Sequence, residues 1–230
     1  MRCGTGGRLW RRVEMIVTTQ KDLGEILGRM GEGRRWVVLG CAECAAICQT
    51  GGSAQVDEMV QRLEDAGKEV LASVSLASPC DRRLARRELR RVEAELEKAD
   101  GVVCLSCGGG VQAVASVVGV PLVAGLDAHF AGTVERLGVF REECVLCGDC
   151  ILNATAGICP QALCPKGLRN GPCEGSREGR CDVGGELECA WERIYNTLAV
   201  AGREMEFGEP HDPVDAARWG RPRSAGGRRP

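Results

Sequence analysis

Between Met15 and Gly125 the chain alternates short apolar runs with helix-period segments. That pattern predicts an α/β fold, a doubly wound and mainly parallel sheet of about four strands. Beyond Phe140 the period vanishes, and Gly, Pro, Asn and Cys take over, which predicts an irregular, cysteine-rich, metal-binding C-terminal lobe closed by a terminal helix. Fifteen cysteines in 230 residues, gathered into groups, are the third observation.

Residues 1–14 show no hydrophobic period and read as a disordered extension, with Met15 a candidate initiator. Leu23, Ile26, Leu27 and Met30 share a helix face. The run "RWVVLG" (35–40) suits a buried strand. "SAQVDEMVQRLEDAG" (53–67) places Val56, Met59, Val60 and Leu63 on one helical side, with Gly67 to stop it. "KEVLASVSL" (68–76) is the second strand. "DRRLARRELRRVEAELEKAD" (81–100) reads as one long helix with Asp81 as N-cap and Leu89, Val92, Leu96 and Ala99 inward. "GVVCLS" (101–106) and "VPLVAG" (120–125) are the remaining strands, with the helix "GGGVQAVASVVG" between them. The α/β domain is thus expected over 15–139 and the cysteine-rich lobe over 140–202. The lobe includes a helix in "LECAWERIYNTLAVAG" with Trp191, Ile194, Tyr195 and Leu198 on one face. The polar stretch 203–230 reads as a disordered tail.

Thirty Lys and Arg against 32 Asp and Glu give a net charge of −2, so there is no broad basic footprint for nucleic acid and no general attraction to an anionic membrane. No run approaches the roughly 18 apolar residues of a membrane span, and "MRCGTGGRLWRRVE" has no apolar signal core. The expected compartment is the cytoplasm, where grouped cysteines serve as ligands more often than as disulfides.

Cys41, Cys44 and Cys48 follow the first strand, Cys80 the second, and Cys104 and Cys107 finish the third. Loops at the carboxyl ends of neighbouring strands converge in a doubly wound sheet. A first metal site is therefore expected from Cys41, Cys44, Cys48 and Cys107, with Cys104 or Cys80 as the alternative fourth ligand. The glycines at 108–110 open a helix N-terminus toward the same edge, and its free N–H groups suit thiolate or sulfide. Buried apolar thiols, or a redox dithiol at Cys41 and Cys44, are the competing readings. The "GGG" run is not a dinucleotide fingerprint.

Eight more cysteines lie at 144, 147, 150, 159, 164, 173, 181 and 189. C-x-x-C-x-x-C followed by C-P follows the ligand grammar of bacterial ferredoxins, although Cys150 and Cys159 stand nine apart rather than four. A Cys₄ zinc site would use the same residues. Cys144, Cys147, Cys150 and Cys189 are assigned to a second site, and Cys159, Cys164, Cys173 and Cys181 to a possible third site or to alternative ligands. His129 and His211 fall in predicted loops and are not counted as ligands.

"CVLCGDCILNATAGICPQALCPKGLRNGPC" with "CAWERIYNTL", and before them "VVLGCAECAAICQTGG", resemble MetV, the small cysteine-rich subunit or C-terminal module of methylenetetrahydrofolate reductase in acetogenic bacteria. The resemblance runs from Met15 to about Arg203. It implies metal centres on this chain, expected as [4Fe-4S] clusters, two or more, with zinc an option at one site. It also implies a flavin-containing reductase subunit as partner, the flavin being carried there. Electrons would pass through this chain to that flavin for the reduction of methylene- to methyl-tetrahydrofolate in the acetyl-CoA pathway. A zinc-stabilised adaptor without electron transfer is the alternative. No catalytic residue is expected on this chain. The arginines at 82, 83, 86, 87, 90 and 91 offer a docking face for a ferredoxin or further electron-transfer subunit, or form a solvated face beside Glu88, Glu93, Glu95 and Glu97.

Overall fold

The structure is a computed structural model that describes residues 15–215, 221 and 223; the expectations for residues 1–14 and for most of the tail beyond 215 lie outside the described residues. The chain divides at Arg141/Glu142 into two units.

The first unit starts with strand β1 (Met15–Gln20), helix α1 (Leu23–Met30) and strand β2 (Arg35–Cys41). The Asp22 carboxylate caps α1 by accepting the Gly24 N–H, and Gly31, at φ 58°, ends it. A four-residue helix α2 (Cys44–Ile47) leads into α3 (Ser53–Asp65), after which Gly67 turns the chain at φ 79° into β3 (Glu69–Leu76). Then follow α4 (Arg82–Leu89), a 3-10 turn (Arg90–Val92), α5 (Glu93–Leu96), β4 (Gly101–Leu105), α6 (Gly108–Ala115) and β5 (Leu122–Ala124).

The expected single helix over 81–100 is therefore interrupted. Leu89 and Val92 are both buried, three residues apart, and a 3-10 turn brings such positions more nearly into line than a regular helix does. Asp81 caps α4 as expected, accepting the N–H groups of Arg83 and Leu84.

Strands β2 to β5 form a four-stranded sheet in the order β3-β2-β4-β5, every neighbouring pair parallel. Trp36, Val38, Val103, Leu105 and Val123 pack one face against Ile26 and Met30 of α1 and Val56, Met59 and Leu63 of α3. Val37, Leu39, Val102 and Cys104 pack the other against Leu89, Val92 and Val114. Burial on both faces is why "RWVVLG" reads as an unbroken apolar run. The chain leaves β2 for β3 on one side and crosses back to β4 on the other. The strand order therefore reverses at β2, and the crevice beyond the ends of β2 and β4 is the switch point where such sheets bind ligands.

A second sheet, which the sequence does not announce, has the order β1-β6-β7, with β6 (Leu126–Arg136) antiparallel to β1 and β7 (Val139–Cys144) beside β6. Met15, Val17, Thr18 and Leu126 are buried in it, and Met15 and Val17 pack with Cys48, Ile47, Phe130 and Phe140. Most of β6 is exposed, so its residues carry neither an apolar run nor a clean alternation.

The second unit has little regular structure: α7 (Pro160–Leu163), the two-residue strands β8 (Ser176–Arg177) and β9 (Arg180–Cys181), and α8 (Ala190–Val200). Its apolar core is small, with Ile158, Trp191, Ile194 and Leu198 buried. Tyr195, expected on the inner face of α8, is 46% exposed and meets Phe207 edge-on at 5.1 Å between ring centres. The segment expected to be a disordered tail from Arg203 has a 3-10 turn at Glu204–Glu206, and Phe207 also packs on Trp191. Among the described residues no helix is long and apolar enough to cross a membrane.

Candidate metal centres

At the switch point, Cys41 ends β2 and its N–H donates to the Gly51 carbonyl at 2.8 Å. The loop between them lies directly on the end of β4: a Cβ on Gly51 would stand 2.2 Å from the Leu105 carbonyl oxygen. Backbone cannot yield cheaply, so Gly51→Ala is expected to cost about 1–3 kcal/mol, read as a lower urea midpoint with an unchanged slope. Cys107 precedes α6, where the missing side chain of Gly110 lets the helix start against the Ser106 hydroxyl.

Cys80 and Cys107 act electrostatically on Cys41 and Cys44, and Cys41 on Cys44. Burial pushes the thiols of Cys41 and Cys44 up first, and the neighbouring thiols of Cys107 and Cys80 add to this. Backbone N–H groups pull the other way: Glu43 and Ala45 donate to the Cys41 sulfur, and Ile16 to that of Cys44. Such donors favour the thiolate that a metal requires. Cys48, placed in the first site by its spacing, is turned to β1, where its thiol donates to the Ile16 carbonyl at 3.7 Å. Cys80 is exposed and lies 3.4 Å from the Ser78 hydroxyl.

Cys104 is completely buried in the apolar face beneath α4 and α6, and burial pushes its thiol up to about 12 from an ordinary 9.0. An unfolded chain releases that proton near pH 9 while the folded one keeps it until about pH 12. Stability due to this group is therefore fully present below pH 9 and falls as pH rises through the window, at about 1.4 kcal/mol per pH unit. Urea unfolding at pH 8 and pH 10 is expected to show a shallower loss in Cys104→Ala than in the unsubstituted protein. Equal slopes would remove Cys104 as the cause.

In the second unit, Cys144, Cys147, Cys150 and Cys159 line one cavity of about 420 Å³, together with Leu146 and Ile151. Leu146 and Gly148, at φ 54° and 79°, curl the chain between the first three cysteines. A positive φ at a leucine is a costly conformation of the kind found at functional sites. The Leu146 N–H donates to the Cys144 sulfur at 3.4 Å. Cys159 stands at the start of α7, where burial raises its thiol, the N–H groups of Gln161 and Ala162 lower it, and Cys147 and Cys144 raise it again.

The remaining four cysteines lie elsewhere. Cys164 and Cys189 pack beside Ile158, Trp191 and Ile194. Cys173 accepts from Lys166 at 3.5 Å, and Lys166 is paired with Asp182, to which Cys181 donates at 3.7 Å. Lys166 thus serves Cys173 rather than its sequence neighbour Cys164. As the side chains stand, the described residues contain no group of three or more His, Cys, Asp or Glu close enough to hold a metal ion, so the metal-binding character expected of the lobe is not shown.

The chemistry of the donors nevertheless fits a thiolate-bound centre. Four thiols share one cavity, backbone N–H groups are aimed at sulfur, and a buried arginine nitrogen, Nε of Arg169, has no hydrogen-bond partner. The sequence offered no sign of Arg169, a basic residue in a polar loop that also holds Lys166. Its ion pair with Asp149, at 2.9 Å, becomes visible only once the loop is folded back.

No curated protein and no solved structure matches the chain. The cysteines of the switch-point set all precede residue 123, where a family match begins. Residues 123–217 match the family described as methylene-tetrahydrofolate reductase C terminal, so this part of the chain is similar to the C-terminal domain of that enzyme.

Proposed function

We propose that the chain is the iron–sulfur electron-transfer subunit of a methylenetetrahydrofolate reductase complex, serving the flavin of a catalytic partner that reduces methylene- to methyl-tetrahydrofolate. The observation that carries this reading is the gathering of Cys144, Cys147, Cys150 and Cys159 on one cavity, inside the segment that matches the reductase C terminal.

These four residues would hold one centre, and Cys41, Cys44, Cys80 and Cys107 a second, with Cys164, Cys173, Cys181 and Cys189 as further candidate ligands. A bound iron–sulfur cluster supplies one-electron transfer at a potential set by charge, burial and hydrogen bonds to its sulfurs. The chain's own part is to bury the thiols, direct N–H groups to them and present a docking face. Arg82, Arg86, Arg90 and Arg91 are exposed and make no ion pair among the described residues, whereas Arg83 is held by Asp81 and Arg87 by Glu88. They lie just after Cys80 in sequence and suit an acidic electron donor such as a ferredoxin, through steering that weakens with salt.

The test is anaerobic purification followed by iron, sulfide and zinc analysis, visible absorption and EPR. A brown protein bleached by dithionite, with about four irons for each occupied site, is the expected result. A colourless protein holding only zinc would instead make the chain a zinc-stabilised adaptor of the reductase.

A further inference from the structure

Arg169 lies in the loop after α7 with its side chain only 12% exposed. Its Nη2 donates to the Asp149 carboxylate at 2.9 Å and its Nη1 to the Asp149 carbonyl at 3.2 Å. Asp149 lies between Cys147 and Cys150, so the guanidinium grips the stretch of backbone that carries two of the four cavity thiols. The third kind of nitrogen, Nε, is buried and has no hydrogen-bond partner. A guanidinium keeps its charge at any ordinary pH, and a buried charged donor without an acceptor is costly. Thiolate and sulfide sulfurs beside Cys147 and Cys150 would be acceptors of the right charge.

Resting on the iron–sulfur reading, we propose that Arg169 is the positioning and potential-setting residue of the Cys144, Cys147, Cys150 and Cys159 site. Its Nη fork fixes the Cys147–Cys150 loop, and its Nε–H donates to a sulfur of the loaded site. Hydrogen bonds to sulfur favour the more negative, reduced state and so raise the potential. A merely structural arginine would leave the potential where it was.

The experiment uses the full chain, reconstituted anaerobically with ferrous iron and sulfide and titrated redox-potentiometrically under EPR. Arg169→Lys keeps a positive charge but has neither the fork nor Nε. It is expected to retain its iron and to become harder to reduce by about tenfold in the equilibrium constant, about 59 mV for one electron. Full iron content with an unchanged potential overturns the proposal. If Arg169→Lys fails to take up iron, pulsed EPR of protein labelled with ¹⁵N-arginine decides instead. Arg223→Lys serves as the background, because Arg223 lines the same cavity. A nitrogen coupling to the reduced centre supports the proposal and its absence overturns it. An unsubstituted chain that takes up no iron defeats the iron–sulfur reading itself and this proposal with it. That result is distinct from a normal cluster insensitive to Arg169.

Discussion

On the proposed iron–sulfur reading, Cys159→Ala is expected to abolish one cluster signal, with the loss of about four irons per chain, while Cys189→Ala leaves that signal in place. On sequence, Cys189 is grouped with Cys144, Cys147 and Cys150, and Cys159 is an alternative ligand; in the structure Cys144, Cys147 and Cys150 share their cavity with Cys159, and Cys189 packs beside Trp191 and Ile194. The consequence for Cys159→Ala extends beyond the lost ligand. The second unit buries few apolar side chains, so a centre bridging residues 144 to 159 would supply much of its order. Iron analysis with EPR on both variants checks the assignment. Loss of the signal in Cys189→Ala, with retention in Cys159→Ala, would restore the first assignment of Cys189.

Trp191→Ala is expected to cost about 3–5 kcal/mol, the largest loss available to a single apolar side chain in that unit. Trp191 is 5% exposed, donates from Nε1 to the Leu168 carbonyl at 3.2 Å and leaves no room for a side chain at Gly171. It therefore holds the loop that delivers Arg169 to Asp149. At about 4–8 °C per kcal/mol for a unit of 60–100 residues, calorimetry should show a drop well above 10 °C in one transition. An unmoved transition would mean that Trp191 does not hold this loop.

Where burial is two-sided the sequence was readable. The continuous apolar run of β2, the helical stripe of α3 and the Asp81 cap leave local marks, and the four parallel strands follow from them. Strand β6 escaped because most of its residues are exposed, and β1 because its buried positions, Met15, Val17 and Thr18, include a polar threonine and keep no clean alternation. The broken helix from Arg82 to Leu96 was hidden for another reason. A 3-10 turn and an α-helix place apolar residues at such similar spacing that only the need to bury Leu89 and Val92 together decides between them.

By itself the sequence determined the parallel α/β architecture, the irregular lobe and the existence of two thiol groups. These depend on hydrophobic period and cysteine count, which are local properties. Only the tertiary structure decided which sulfurs share a cavity or come within one another's electrostatic reach. Cys48 lies seven residues from Cys41 yet turns to β1, while Cys80, 39 residues from Cys41, comes within its electrostatic reach. The strand order that reverses at β2 and the backbone turns at Leu146 and Gly148 set those arrangements, through geometry that no spacing along the chain encodes.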